Sequence, residues 1–307
     1  MLSSGLSLLV WGYFFSVGHS ECVANDRSQM MNRLLSFALY FTATLLGILA
    51  FLYPFLLPAI VTQATAGSAR QGETPFMLIL LLALCLLVLI YEAQGQTSNT
   101  RLLALLGVLV AINSALRFLE VAIPGPGGFS PIFFLIILTG YIFGGRFGFL
   151  MGALTMLVSA VITGGVGPWL PSQMFTAGWA GMSAPLCRPF VQAVKGENRR
   201  REVIILTAFG AAWGFLYGVI MNLWSWPFIV GPEAQYWTPG SGPFEILQRY
   251  AAYYAVTSLV WDLMAALGNA ILILFFGQPT LRALRRFQAR FKYQVLESHT
   301  EALIVDA

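Results

Sequence analysis

Three ionisable side chains, Arg117, Glu120 and Asp262, sit in or beside long apolar stretches. Charge inside a lipid-length apolar run is costly, so it marks an ion pair, a ligand contact or a proton-handling group. Arg117 and Glu120 are three residues apart, which puts them on one helix face where they can pair. Asp262 lies about 11 residues, or roughly 16 Å, into the apolar run Ala251 to Phe276, a depth near mid-bilayer, with Arg117 or Asn269 as candidate partners. If the three converge on one cavity they suit an intramembrane enzyme acting on a lipid-linked substrate. Otherwise they are structural pairs and helix–helix staples.

Aromatic rings offer a second chemistry. Trp169, Phe175, Trp179, Tyr217, Trp224, Trp226, Tyr236, Trp237, Tyr250, Tyr253 and Tyr254 crowd two connections, beside the amides of Gln173 and Asn222. Planar stacking surfaces with a few orienting polar groups suit a ring-bearing solute. An interfacial aromatic belt accounts for part of the set without any ligand.

Other chemistries find no residues. His19 and His299 lie outside every apolar run, and Cys22, Cys85 and Cys187 are far apart, so neither a metal site nor a cofactor is expected. There is no GxxxxGK[ST], GxSxG or HExxH pattern, so any ATP must be hydrolysed by a partner.

The elements that must position these residues are membrane helices. The chain is 58% hydrophobic and 10% charged, against about 25% charge in soluble domains. Eight spans are expected: Leu34 to Ile60, Phe76 to Tyr91, Leu102 to Ile123, Pro131 to Phe143, Phe147 to Ile162, Gln173 to Val194, Val203 to Leu223 and Ala251 to Phe276. Thr74-Pro75 and Ser130-Pro131 supply capping hydroxyls before a first-turn proline. Residues 1–29 read as a flexible or non-native extension, residues 30–100 as two additional spans, 101–278 as a six-helix core and 279–307 as a basic cytoplasmic tail.

Lysine and arginine are retained in the cytoplasm at short loops. With both ends inside, fourteen of the seventeen fall on the cytoplasmic side, leaving Arg70, Arg117 and Arg249 toward the outside. The net charge of +4 therefore reports topology, not nucleic-acid binding. The outer connections, Glu120 to Ser130, Thr163 to Ser172 and Trp224 to Arg249, are rich in Gly, Pro and aromatic residues, and such irregular backbone is tolerated where it lines a cavity.

Small residues recur every fourth position at Gly107, Ala111 and Ala115, at Gly148 and Gly152, and at Gly210, Gly214 and Gly218, where helix backbones can approach closely. The Gly107-x3-Ala111-x3-Ala115 groove, GGRFGFLMG at Gly144 to Gly152 and GGVGPWLPSQM at Gly164 to Met174 together resemble the substrate-binding S components of energy-coupling factor (ECF) transporters. The resemblance covers Leu102 to about Phe276. It implies an all-α integral membrane protein with a six-helix S-component-like core, here preceded by two extra transmembrane helices.

It further implies a pocket near the outer face that holds a vitamin, placing Gln173, Trp179, Asn222, Trp224 and Tyr253 there. With Arg117, Glu120, Trp169, Trp226 and Asp262 they make up the expected substrate-binding set. Gly107, Ala111 and Ala115 would meet the coupling transmembrane subunit, and two ABC ATPases would drive delivery inward. Cobalamin leads among the substrates, because the outer connections, above all Trp224 to Arg249, could cover a large ring solute. Riboflavin, thiamine precursors, folate and queuosine precursors stay open.

Overall fold

The computed structural model describes residues 100–122, 129–167, 169–193, 199–228, 232, 235, 237 and 241–305, with scattered positions between 38 and 83. It divides into two compact units, Met1–Leu46 and Gly47–Ala307. In the first, Ala38, Phe41, Thr42, Thr44 and Leu45 are helical, and Thr42 Oγ1 donates to the Ala38 carbonyl at 2.8 Å. Most of the two expected additional spans and all of the expected extension 1–29 lie outside the described residues.

In the second unit the ordered elements from residue 100 onward are α1 (Thr100–Ala122), α2 (Ile132–Phe143), α3 (Gly145–Thr163), α4 (Leu170–Ser183), α5 (Cys187–Ala193), α6 (Arg199–Ser225), α7 (Pro243–Thr257) and α8 (Leu259–Val305). Three described stretches are long and apolar enough to cross a membrane: Gly145–Thr163, Arg199–Ser225 and Leu259–Arg290. The spans expected at 102–123, 131–143, 147–162 and 203–223 match α1, α2, α3 and α6 within a few residues.

Helix α2 is the centre. Its sequence IFFLIILTGYIF is apolar on every side, the pattern of a helix surrounded by protein, and Ile132 through Ile142 are all buried. It packs against α1, α3, α4, α6 and α8. At 12 residues it reaches about 18 Å, well short of a hydrocarbon layer of roughly 30 Å.

A helix end inside protein needs partners for its open carbonyls. Arg188 supplies them: Nε and Nη2 donate to the Tyr141 carbonyl at 2.9 and 2.5 Å, and Nη2 also reaches the Ile142 carbonyl at 3.1 Å. Gln288 Nε2 adds a bond to Ile142 at 2.9 Å. At the other end Asn113, fully buried, donates from Nδ2 to the Ile132 carbonyl at 3.1 Å and to Thr155 Oγ1 at 3.2 Å, tying α1 to α2 and α3. The residue that turns the chain from α2 into α3 is Gly144, at φ 105° and ψ 168°, a conformation open essentially to glycine alone.

Glycines set the helix crossings. Gly140 of α2, Gly148 of α3 and Gly181 of α4 meet backbone to backbone: a Cβ on Gly148 would stand 2.8 Å from the Gly140 Cα, and one on Gly181 would stand 2.8 Å from the Gly148 Cα. Gly152 abuts Ala177 and Gly178 in the same way. Along α6, Gly210 faces Ile273, Gly214 faces Ala265 and Ala266, and Gly218 faces Asp262, so this stripe receives α8. Asn269 Nδ2 closes the same seam on the Gly210 carbonyl at 3.2 Å. Asn269 is thereby engaged at Gly210 and does not serve as the partner of Asp262.

Two expected spans are broken. Residues 173–194 form α4, a 3-10 turn at Ala184–Leu186 and then α5; Pro185 removes a backbone donor and crowds the preceding turn. The run 251–276 is cut at Ser258, whose φ of −130° leaves the helical region. There Thr257 Oγ1 bonds back to the Tyr253 carbonyl at 2.7 Å, the kind of side-chain competition that loosens a helix. Asp262 consequently sits in the first turn of α8, and its expected depth of eleven residues into an unbroken span does not hold. The same helix continues through residues 279–305, the stretch expected as a tail.

Gly148→Leu should drive α3 from α2 and α4, cost about 1–3 kcal/mol or more, and lower the melting temperature in detergent; an unchanged melt would contradict the close crossing. Arg188→Ala should orphan the Tyr141 carbonyl, Ile142 keeping its bond from Gln288, at about 1–3 kcal/mol, read as a lower melting temperature with Arg188→Lys in between.

Candidate functional site

The two ends of the bundle differ in chemistry. At one end Arg146 follows the α2–α3 turn, Arg188 caps α2, Arg199, Arg200 and Arg201 open α6, and the buried Glu202 pairs with Arg285. The opposite end carries Trp169, Trp224, Trp226, Tyr250 and Tyr253. Of the three irregular connections that the sequence singled out, the described parts of 163–172 and 224–249 lie at this aromatic end, between α3 and α4 and between α6 and α7, while most of 120–130 lies outside the described residues.

Around the α6–α7 connection the rings pack on one another. Trp226 is 1% exposed, donates Nε1 to the Gln235 carbonyl at 2.8 Å, stacks on Tyr253 with centroids 6.4 Å apart, and meets Tyr250 edge-on at 5.0 Å. Tyr253 and Trp237 are buried with it. Trp226 and Tyr253, expected to stack on a solute, thus spend much of their surface on each other and on their neighbours. They back the site more than they line it.

Sequence reasoning missed part of this cluster. Phe55 packs on Trp226 at 5.9 Å and edge-on to Trp237 at 5.7 Å, while Phe51 lies 5.8 Å from Trp179. A Cβ on Gly47 would touch the Trp179 ring at 2.9 Å. Gly47, Phe51 and Phe55 recur every fourth residue, the spacing of one helix face, and that spacing was the signal available in the sequence.

The remaining expected residues keep accessible surface. Trp169 is 43% exposed and holds its ring through Nε1 to the Gly165 carbonyl at 3.2 Å. Gln173, Trp179, Asn222 and Trp224 are partly exposed. Several buried polar atoms on the surrounding helices close no well-formed hydrogen bond: Ser172 Oγ and Trp179 Nε1 on α4, Asn222 Nδ2 on α6, and the Tyr254 hydroxyl on α7 and Asp262 Oδ2 on α8, which interact with each other. Buried polar groups are normally bonded, and Asn113, Ser114 and Asn269 elsewhere in the bundle also carry an unbonded atom.

The three ionisable residues do not form the expected pair or triad. Glu120 accepts from Ser130 Oγ at 2.8 Å, Arg117 directs Nη1 at Met156 Sδ at 3.4 Å, and the Asp262 carboxyl lies against Gly218. Among the described residues no ion pair closes between Arg117 and Glu120. Tyr217, on the same helix as Gly218, sets its ring edge-on to Phe133 at 4.9 Å.

The small residues of α1 differ from those of α3 and α6. Gly107 has nothing among the described residues within 4 Å of its Cβ position, and Ala111 and Ala115 are exposed. The opposite face, with Leu106, Leu109, Val110, Asn113 and Ser114, is the buried one.

The chain matches the family model of the ECF transporter substrate-specific component over residues 101–277, more than half of its 307 residues. No curated protein and no solved structure matches it. This is a family of transporter subunits, not enzymes, and the catalytic reading of Arg117, Glu120 and Asp262 lapses with it. The chain is therefore a member of the substrate-specific components of ECF transporters: an all-α membrane subunit that takes a small-molecule substrate and works with partner ECF subunits and ATPases.

Proposed function

We propose that this subunit captures a vitamin or related micronutrient, cobalamin foremost, at the aromatic end of the bundle. The arginine-rich end faces the cytoplasm, as the retention of basic residues there predicts, and the aromatic end faces outward. Trp169, Gln173, Trp179, Asn222 and Trp224 meet the solute, Asp262 supplies a polar contact, and Trp226 and Tyr253 support them from behind. Arg117 and Glu120 hold the α1 side. The coupling transmembrane subunit docks on Gly107, Ala111 and Ala115, and its ABC ATPases power inward delivery.

The single observation that carries this reading is the company of partly exposed rings and amides, Trp169, Gln173, Trp179, Asn222 and Trp224, some of whose buried polar atoms close no hydrogen bond. Rings and a few convergent polar groups are the usual lining of a small-molecule site. The length of the α6–α7 connection and its aromatic content favour a large ring solute.

Purified protein should carry a solute visible in its absorption and mass spectra, with corrin bands for cobalamin. A chemically empty preparation that no vitamin stabilises against heat would count decisively against capture. Gly107→Leu combined with Ala111→Leu should abolish transport and copurification of the coupling subunit while leaving solute affinity within about twofold, because no described residue packs on this face and surface substitutions cost little. An unchanged transport rate would place the docking face elsewhere.

A further inference from the structure

Three of the buried polar atoms share one seam. Asp262 is 8% exposed and its Oδ2 closes no well-formed hydrogen bond, nor does Asn222 Nδ2, while the Tyr254 hydroxyl interacts with the Asp262 carboxyl. Their positions are fixed from three sides. The Asp262 carboxyl rests on Gly218, so closely that any Cβ there would overlap it. Asn222 follows Gly218 by four residues and so lies on the same face of α6, about 5–6 Å along. Helix α7 is held against that stretch by the Tyr250 hydroxyl, which donates to the Val219 carbonyl at 2.5 Å, and by the contact of Tyr253 with Ser225 at 3.4 Å. From α7 the Tyr254 hydroxyl approaches the Asp262 carboxyl closely enough to interact with it and so orients it.

The three atoms have distinct needs. A carboxylate oxygen accepts, an amide nitrogen donates, and a phenol does either. A group that fills the seam must therefore offer a donor to Asp262 and an acceptor to Asn222, side by side. A primary carboxamide or the lactam edge of a heterocycle presents that N–H and C=O pair. A carboxylate would set its oxygens against Asp262, and an aliphatic ammonium would leave Asn222 Nδ2 unmet. Gly218 belongs to this fit, since only a residue without a Cβ lets the carboxyl lie flat on α6.

We propose that Asp262, Asn222 and Tyr254 form the subsite that reads a carboxamide or lactam edge on the transported solute. This rests on the importer reading and narrows it: corrinoids carry carboxamides around the ring, flavins and pterins carry lactam edges, and a solute whose only polar groups are carboxylates is excluded.

The test uses the full-length protein in lipid nanodiscs, with equilibrium dialysis against cyanocobalamin, its monocarboxylic acid derivatives and riboflavin. For whichever neutral probe binds, Asp262→Ala and Asn222→Ala should each raise Kd at least about tenfold, the scale of one lost buried hydrogen bond. Asp262→Asn should recover part of the loss and should bind a cyanocobalamin monocarboxylate better than wild type does. A helix staple would not produce that change of preference. Should Asp262→Ala fail to fold, Asn222→Ala carries the same comparison. Kd values within twofold of wild type in the variants would mean that the seam holds only water, and would overturn the subsite while leaving the importer reading intact. A co-eluting solute without a carboxamide or lactam edge would also overturn it. Failure of wild type to bind any solute would sink the importer reading and the subsite together.

Discussion

Helix α2 must be satisfied entirely by protein. It is apolar all round, it is buried from Ile132 to Ile142, and it is too short to carry its own ends to water. Lipid offers no hydrogen bonds, so each open carbonyl is a debt that other elements settle. Arg188 and Gln288 come to one end from distant parts of the chain, and Asn113 comes to the other. These bonds fix where α1, α5 and α8 stand around the centre. The glycine contacts of Gly140, Gly148 and Gly181 then set how closely α3 and α4 can crowd in.

From that arrangement the division of the molecule follows. One end gathers arginines that cap and pair, so the basic residues there stabilise structure as well as marking sidedness. The other end gathers rings and irregular chain. Break points at Pro185 and Ser258 let α4 and α8 change direction, and the second of these brings Asp262 to a helix start beside Gly218. A continuous helix through Ser258 would leave Tyr254 and Asp262 two regular turns apart on a single rod, with α7 unable to fold back on Val219.

Much of this was legible in the sequence because it rests on local pattern. Apolar runs of the right length placed α1, α2, α3 and α6, and glycine spacing marked a close-packing face on α6, though not that α8 fills it. The residues of Gly144 to Met174 pointed to the family that the match over 101–277 bears out. What stayed hidden depends on contacts between remote residues. Nothing near Arg188 announces that it caps a helix 47 positions away. The run 251–276 looks like one span because apolar side chains continue across Ser258, whereas the break is made by hydroxyl competition for backbone carbonyls. Trp226 and Tyr253 read as exposed stackers because a sequence cannot say that they will stack on each other.

The open face of α1 has a consequence for the surrounding lipid. Where Gly107, Ala111 and Ala115 leave the helix without side-chain bulk, acyl chains must thread a shallow notch between Leu103, Val108 and Ile112, all of which project outward. Hydrocarbon tails lose freedom when they line so narrow a trough. A neighbouring helix that covers the trough returns those tails to the bulk bilayer while gaining close van der Waals contact. A partner helix docked there, as proposed above, would draw its driving force from the membrane itself, and the strength of such a complex would vary with the chain length and unsaturation of the lipids around it.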